Sequence, residues 1–474
     1  MRRRQDEKTG SRIRPRRLSR LLAGLLILLA LTAQSVQAAE VLPAVTYQPP
    51  MQAEVSASSA IVLDTARMRR LYAKNADGRL AIPAASKMMT ALLACERLPL
   101  DTQVTISSVA AQEAKREATG DGLELKTGDK YPLEYLLLRL VFYDSNAAAL
   151  AIAEQISGVE ANFVDLMNSK AASLELSGTV FVNSTGNLVY EDGPIDPGDR
   201  SDQSDNIAVD PLPRQYSTVS DLARLTAFAM NNQKFADIVR KDSEYLLLDG
   251  KTLVPMRNRL QSVWRMSENR ITGAFYSERR ERGYSVAIGR INDFSVIMVT
   301  ANGNPGKRST DLLALTAAIA NNYVQEALVT AGEVFSGYRE ETVDGEPFGL
   351  VFRRTVLYIR PIDDAFLMQE VQYRSYGPHH RPIESTMTIG QVVFQLKDGT
   401  VIAVDVGPDR QILSSITVLN QLLASLQNNP NLFYVIMACG SLLVLVMAIH
   451  VFERLSRLIR LLRLIRLERR ARRI

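Results

Sequence analysis

The sequence predicts an α+β fold: helices against an antiparallel sheet, then a small β-rich domain and one C-terminal transmembrane helix. Three observations carry that prediction. Five segments between residues 84 and 231 repeat apolar residues near the 3.6-residue helical period. Two runs, "YSVAIGR" and "FSVIMVTAN" (284–302), flank Asn292-Asp293 as the arms of a hairpin. Beyond about residue 335 apolar and polar residues alternate, until a 20-residue stretch, Leu432 to Val451, with no Asp, Glu, Lys or Arg.

The elements follow in order. An Arg-rich start, the apolar run "LLAGLLILLALT" (21–32) and small residues up to Ala38 describe a signal peptide over 1–38, cleaved after Ala38. A linker, 39–56, leads to a domain at 57–330. Its first strands are "IVLD" and "LYAKNADGRL", and its helices fall at 84–97, 132–142, 146–157, 160–175 and 218–231. "RSTDLLALTAAIANNYVQEAL" closes the domain as a helix. The stretch 190–215, rich in Asp, Pro, Gly and Ser, has little to bury and is expected to be a long exposed loop. A β-rich domain spans 336–407, with a hairpin turn at Asp398-Gly399. A helical stalk (408–431), the transmembrane helix (432–451) and an Arg-rich tail (452–474) complete the chain.

Charge and rare residues exclude several functions. The net charge of +5 conceals about +7 in the first 20 residues and about +7 in the last 24, so the middle is acidic. That distribution removes the basic surface that nucleic-acid binding needs. Positive residues after the span place the tail in the cytoplasm and the bulk of the chain outside it, with the tail lying on the inner leaflet. The two cysteines, Cys95 and Cys439, form no disulfide framework, since Cys439 lies in the span. The three histidines, 379, 380 and 450, leave the main domain without the makings of a Ser-His-Asp triad or a histidine zinc site. No cofactor and no metal are expected. His379-His380 follows Gly377-Pro378 and is expected in a solvated turn.

Several stretches in fixed order carry a resemblance: "IVLDTARMRRLYAKNADGRLAIPAASKMMTALLACERL", "LLLRLVFYDSNAAALAIAEQISG", "VNSTGNL", "YSTVSDLARLTAFAM" and "NRITGAF". Over roughly residues 57–406 the chain resembles the D-alanyl-D-alanine carboxypeptidases, the low-molecular-weight penicillin-binding proteins. The resemblance implies a penicillin-binding/β-lactamase-like transpeptidase domain and serine peptidase chemistry of the S-x-x-K type. It also implies a peptidoglycan substrate. In S-x-x-K, serine and lysine share a helix face, so the amine can take the hydroxyl proton while serine attacks a carbonyl. S-x-N adds a proton relay and a substrate amide, and K-T-G offers a cation and a hydroxyl to the substrate carboxylate.

Carried over residue by residue, each motif is broken. Lys87 matches the first lysine, which puts Ala84 at the nucleophile. Asn146 matches S-x-N, which puts Asp144 at its serine. Thr272 and Gly273 match K-T-G, which puts Ile271 at its lysine and Phe275 two places past its glycine. Ser86 lies about 100° round the helix from Lys87, off its face. Ser145 and Thr90 are the other hydroxyls within reach. A carboxylate within about 4–6 Å favours the charged amine, so Asp144 is expected to pair with Lys87 and hold it protonated.

These changes predict an extracytoplasmic, membrane-anchored carboxypeptidase-like protein, catalytically inactive and kept as a binding or scaffold module. Its expected partners are peptidoglycan or other cell-envelope proteins, and Lys87, Asn146, Thr272 and Phe275 are the residues left to bind. The alternative is an active serine-type carboxypeptidase with its nucleophile moved to Ser86, Ser145 or Thr90. A second alternative is a single-span signal relay.

Overall fold

A computed structural model describes residues 51–117, 120–189, 214–279, 282–428 and 430–471. The expected signal peptide, most of the expected linker and residues 190–213 of the expected exposed loop lie outside the described residues.

A five-stranded antiparallel sheet is built from β1 (Ser59–Asp64), β2 (Arg70–Lys74), β7 (Ile271–Arg279), β8 (Arg282–Ile291) and β9 (Phe294–Gly303). Its order is β2-β1-β9-β8-β7, so β7 is an edge. Every residue of β1 is buried, as expected of a strand covered on both faces. The β8–β9 hairpin turns at Asn292 and Asp293, both at positive φ (46° and 68°), where Asn and Asp are tolerated best. Two two-stranded ribbons, β3 (Gln103–Thr105) with β4 (Lys130–Pro132) and β5 (Ser243–Leu248) with β6 (Thr252–Arg257), flank the helices.

The helices are α1 (Pro83–Arg97), α2 (Ser108–Ala114), α3 (Leu133–Tyr143), α4 (Asn146–Ser157), α5 (Glu160–Ser173), α6 (Val219–Ala229), α7 (Gln233–Arg240), α8 (Gln261–Met266) and α9 (Arg308–Asn322). One core packs α1, α3, α4, α6 and α7 against the sheet. A second, behind the sheet, holds α8 and α9. Helix α1 is buried from Pro83 to Cys95 and is the centre of the first core. Proline suits its first turn, where its missing N–H costs nothing, and the chain is extended at Leu98, ahead of Pro99. The five expected helices fall within two residues of their predicted bounds. The short α2, α7 and α8 carry too few turns to show a period.

The closing helix is shorter than expected. It stops at Asn322, and Tyr323–Val329 is strand β10, paired with β13 (Val356–Pro361). "YVQEALV" ends on buried Tyr323 and Val329, apolar ends a strand can bury while its middle stays half-exposed. The β-rich region therefore begins ahead of residue 336. Its main sheet runs β11-β12-β16-β15-β14: Val334–Glu341, Pro347–Phe352, Val401–Pro408, Gly390–Gln395 and Gln372–Ser375. The Leu396 N–H donates to Thr400 O at 2.8 Å, closing the predicted hairpin. His380 is exposed as expected, but His379 packs edge-on to Phe348 and stands 3.7 Å from Glu340.

Helix α10 covers Ser415–Asn428, less than the stalk expected over 408–431, whose first residue ends strand β16. Helix α11, Pro430–Ala471, runs 42 residues without a break and includes a segment, Tyr434–Arg463, long and apolar enough to cross a membrane. The apolar run and the arginines are thus one rod.

Candidate functional site

The site forms where α1, the α3–α4 junction and β7 meet. Helix α3 ends on Asp144, which takes the left-handed conformation (φ 59°, ψ 34°). The next residue, Ser145, caps α4, its Oγ accepting the Ala148 N–H at 3.1 Å. One left-handed residue followed at once by a cap turns the chain sharply and aims the Asp144 side chain at α1.

Lys87 is fully buried, and its Nζ stands 2.6 Å from Asp144 Oδ1, whose side chain is 10% exposed. The expected pairing is present. Neither atom has a hydrogen-bond partner of good geometry, so the contact is an ion pair rather than a directed bond. Asp144 Oδ2 accepts the Ser277 hydroxyl at 2.8 Å and the Glu278 N–H at 3.4 Å. The amine's shift runs opposite to what pairing alone would give. Burial pushes the amine below its ordinary 10.5 and outweighs the neighbouring Asp144 carboxylate, which pulls upward; Arg279 adds to the downward direction.

Ala84 is fully buried and presents a methyl group where serine chemistry needs a hydroxyl. Gly186, at φ +81°, seals this end of α1: a Cβ there would stand 2.6 Å from Pro83 O. The three other hydroxyls are occupied or enclosed. Thr90 Oγ1 donates to Ser184 O at 3.1 Å. Ser145 donates to Glu117 Oε2 at 2.7 Å besides capping its helix. Ser86 is fully buried and its Oγ meets no hydrogen-bond partner.

Asn146 joins a polar cluster absent from the sequence expectations. Its Nδ2 donates to Glu113 Oε1 at 3.1 Å and to Asn187 Oδ1 at 3.2 Å. Glu117 Oε1 accepts the backbone N–H groups of Asn146 and Ala147, a carboxylate on the positive end of α4. Arg279 donates to Asn146 Oδ1 at 3.4 Å and to Asn187 Oδ1. The polar side chains around Asn146 are therefore bonded to one another.

The K-T-G register is the clearest departure. Ile271 is buried in the core behind the sheet, Thr272 Oγ1 reaches only Ile288 O at 3.4 Å, and Gly273 lies against Val239 O. Phe275 is fully buried in the helical core. On β7 the residues that meet Asp144 and Asn146 are Ser277 and Arg279, about 20 and 26 Å along the strand from Ile271 at 3.3 Å per residue. A T-G pair was too short a signal to fix strand position, and a bulge between Ile271 and Gly273 shifts the pairing there. Among the described residues no His, Cys, Asp or Glu cluster could hold a metal.

A buried lysine on a central helix, a turn leading into a second helix, and an edge strand closing the cleft define the penicillin-binding class of folds. The peptidoglycan synthesis regulatory factor (PBP3) of Streptococcus pneumoniae superposes with a TM-score of 0.59 at 19% identity, covering 76% of this chain and all of that one. Penicillin binding protein 5 of Haemophilus influenzae gives 0.53 at 19%, covering 77% and 99%. In sequence, residues 44–275 match the model of the D-alanyl-D-alanine carboxypeptidase family. It is 35% identical over 130 residues to D-alanyl-D-alanine carboxypeptidase DacF of Bacillus subtilis (27% of this chain, 33% of the relative). It is 27% identical over 221 residues to DacC of Escherichia coli (45% and 48%). The chain thus spans from a third to about half of these two curated relatives.

Proposed function

We propose that this chain is a membrane-anchored, extracytoplasmic member of the carboxypeptidase family that does not cleave stem peptides. It acts as a binding or scaffold module in peptidoglycan or other cell-envelope processes. The observation that carries the reading is the buried Lys87–Asp144 pair beside a fully buried Ala84. Acyl transfer needs a hydroxyl within reach of the amine; the nearest helix position offers a methyl group, and the amine is engaged by a carboxylate. Removing an attacking serine costs several orders of magnitude in rate. The α11 rod supports single-pass anchoring, with the arginine-bearing end in the cytoplasm.

The test is the intact mass of the full chain in detergent after incubation with a penicillin. No adduct is expected. An adduct mapped to Ser86, Ser145 or Thr90 would overturn the proposal and make the protein an enzyme with a relocated nucleophile. In parallel, envelope proteins that co-purify with the wild type are expected to co-purify with Lys87→Ala, because a scaffold does not depend on the amine as a base.

A further inference from the structure

Strand β7 works on two faces. Successive strand residues point to opposite sides of a sheet. At its end Ser277 and Arg279 face the Lys87 cleft, while Tyr276 and Glu278 face away from it. Together with Arg259, just ahead of α8, and Arg308, the first residue of α9, they line an open cavity of about 520 Å³. The relic cleft uses none of these four side chains.

The lining is organised before any ligand arrives. The Tyr276 hydroxyl donates to Glu278 Oε2 at 2.9 Å. The Arg308 guanidinium lies over the Tyr276 ring, 4.9 Å from its centroid, and its Nη1 donates to Pro305 O at 3.0 Å. Burial and Glu278 push the Tyr276 phenol up to about 12, so it stays a donor at neutral pH. Arg259 is exposed and makes no ion pair or hydrogen bond among the described residues. Two guanidiniums and one carboxylate therefore share one cavity.

A simple anion entering it meets attraction from the arginines and repulsion from Glu278; a simple cation meets the reverse. Only a ligand carrying both signs complements the whole lining. We propose that this cavity binds a small zwitterion, a free amino acid or short peptide, with Arg259 and Arg308 on the carboxylate and Glu278 on the ammonium. Guanidinium suits the first role because its fork matches a carboxylate with two parallel bonds. The volume lies within the roughly 300–1,000 Å³ of small-ligand sites.

Saturation-transfer NMR on the full chain in detergent micelles, with glycylglycine as probe, tests this. Glycylglycine is expected to bind, and its N-acetyl and C-terminal amide forms about tenfold more weakly each. Arg259→Ala is expected to weaken glycylglycine about tenfold, and Glu278→Gln to abolish the preference over the N-acetyl form. Both residues are exposed, so an unchanged thermal midpoint separates lost binding from lost folding. Equal binding of glycylglycine, N-acetylglycylglycine and inorganic phosphate would overturn the proposal in favour of a general anion patch. Failure of glycylglycine to bind, or binding unaffected by either substitution, would overturn it outright.

Discussion

Asp144 and Ser277 meet across the cleft: the serine hydroxyl donates to Oδ2 at 2.8 Å while Oδ1 of the same carboxylate stands 2.6 Å from Lys87 Nζ. One side chain, set at the left-handed end of α3, thus fastens the central helix to the edge strand. The two sides of the cleft are tied together.

Asp144→Ala is expected to cost about 3–5 kcal/mol of unfolding free energy, because it leaves a buried cation uncompensated. The measurement is the denaturant midpoint, and Lys87→Met/Asp144→Asn is expected to recover most of the loss. A loss under about 1 kcal/mol would mean that Lys87 is already neutral in the folded state.

Stability is expected to depend on pH through Lys87. Its folded-state pKa lies below 10.5, so between the two values the unfolded chain binds more protons than the folded one. Stability rises with pH wherever that holds. The stability of the wild type minus that of Lys87→Met should therefore climb through that window and flatten above about 10.5. Thermal melts of both proteins at stepped alkaline pH check this, and a falling difference would reverse the sign given to burial.

Restoring the serine alone is not expected to restore chemistry. In Ala84→Ser the new hydroxyl enters a fully buried position sealed by the close approach of Gly186 to Pro83. Its neighbouring amine still faces Asp144. Intact mass after penicillin treatment should show no adduct on this variant. Stoichiometric labelling would show that one substitution alone holds the site silent.

Membrane attachment is expected to depend on the centre of the apolar segment. Val446→Arg places a charge where helix insertion costs about 2.5–3.5 kcal/mol more. Partition into the alkali-resistant membrane fraction should fall sharply compared with wild type. Unchanged partition would mean that Tyr434–Arg463 is not the anchor.

Much of this architecture is legible in the sequence because the signals are local and repeated. Lys87, Asp144 and Asn146 sit in helices or at a helix junction, where fixed spacing dictates relative position. The β7 contribution is not legible, since a strand has no such ruler: Ser277 and Arg279 are found only once bulge and hairpin set the register. Glu113, Glu117 and Asn187 reach the cleft from 33, 29 and 41 residues away from Asn146, with no motif to mark them. "VNSTGNL" served to identify the fold without pointing to Asn187 as a partner. The helix-to-strand switch at Tyr323 was hidden for a related reason, since "YVQEAL" continues an apolar run that a helix also accepts.

The unbroken α11 has a geometric consequence for its arginine-bearing end. Its 42 residues make a rod about 63 Å long, twice the hydrocarbon thickness of a bilayer. Arginines at 454, 457, 460, 463 and 466 each step back about 60° around the axis, sweeping roughly 240° over four steps. The rod therefore shows cations at most azimuths. Turning it about its own axis changes little in the field it presents, whereas sliding or tilting it moves charge bodily. A structure wired this way is deaf to twist and sensitive to depth.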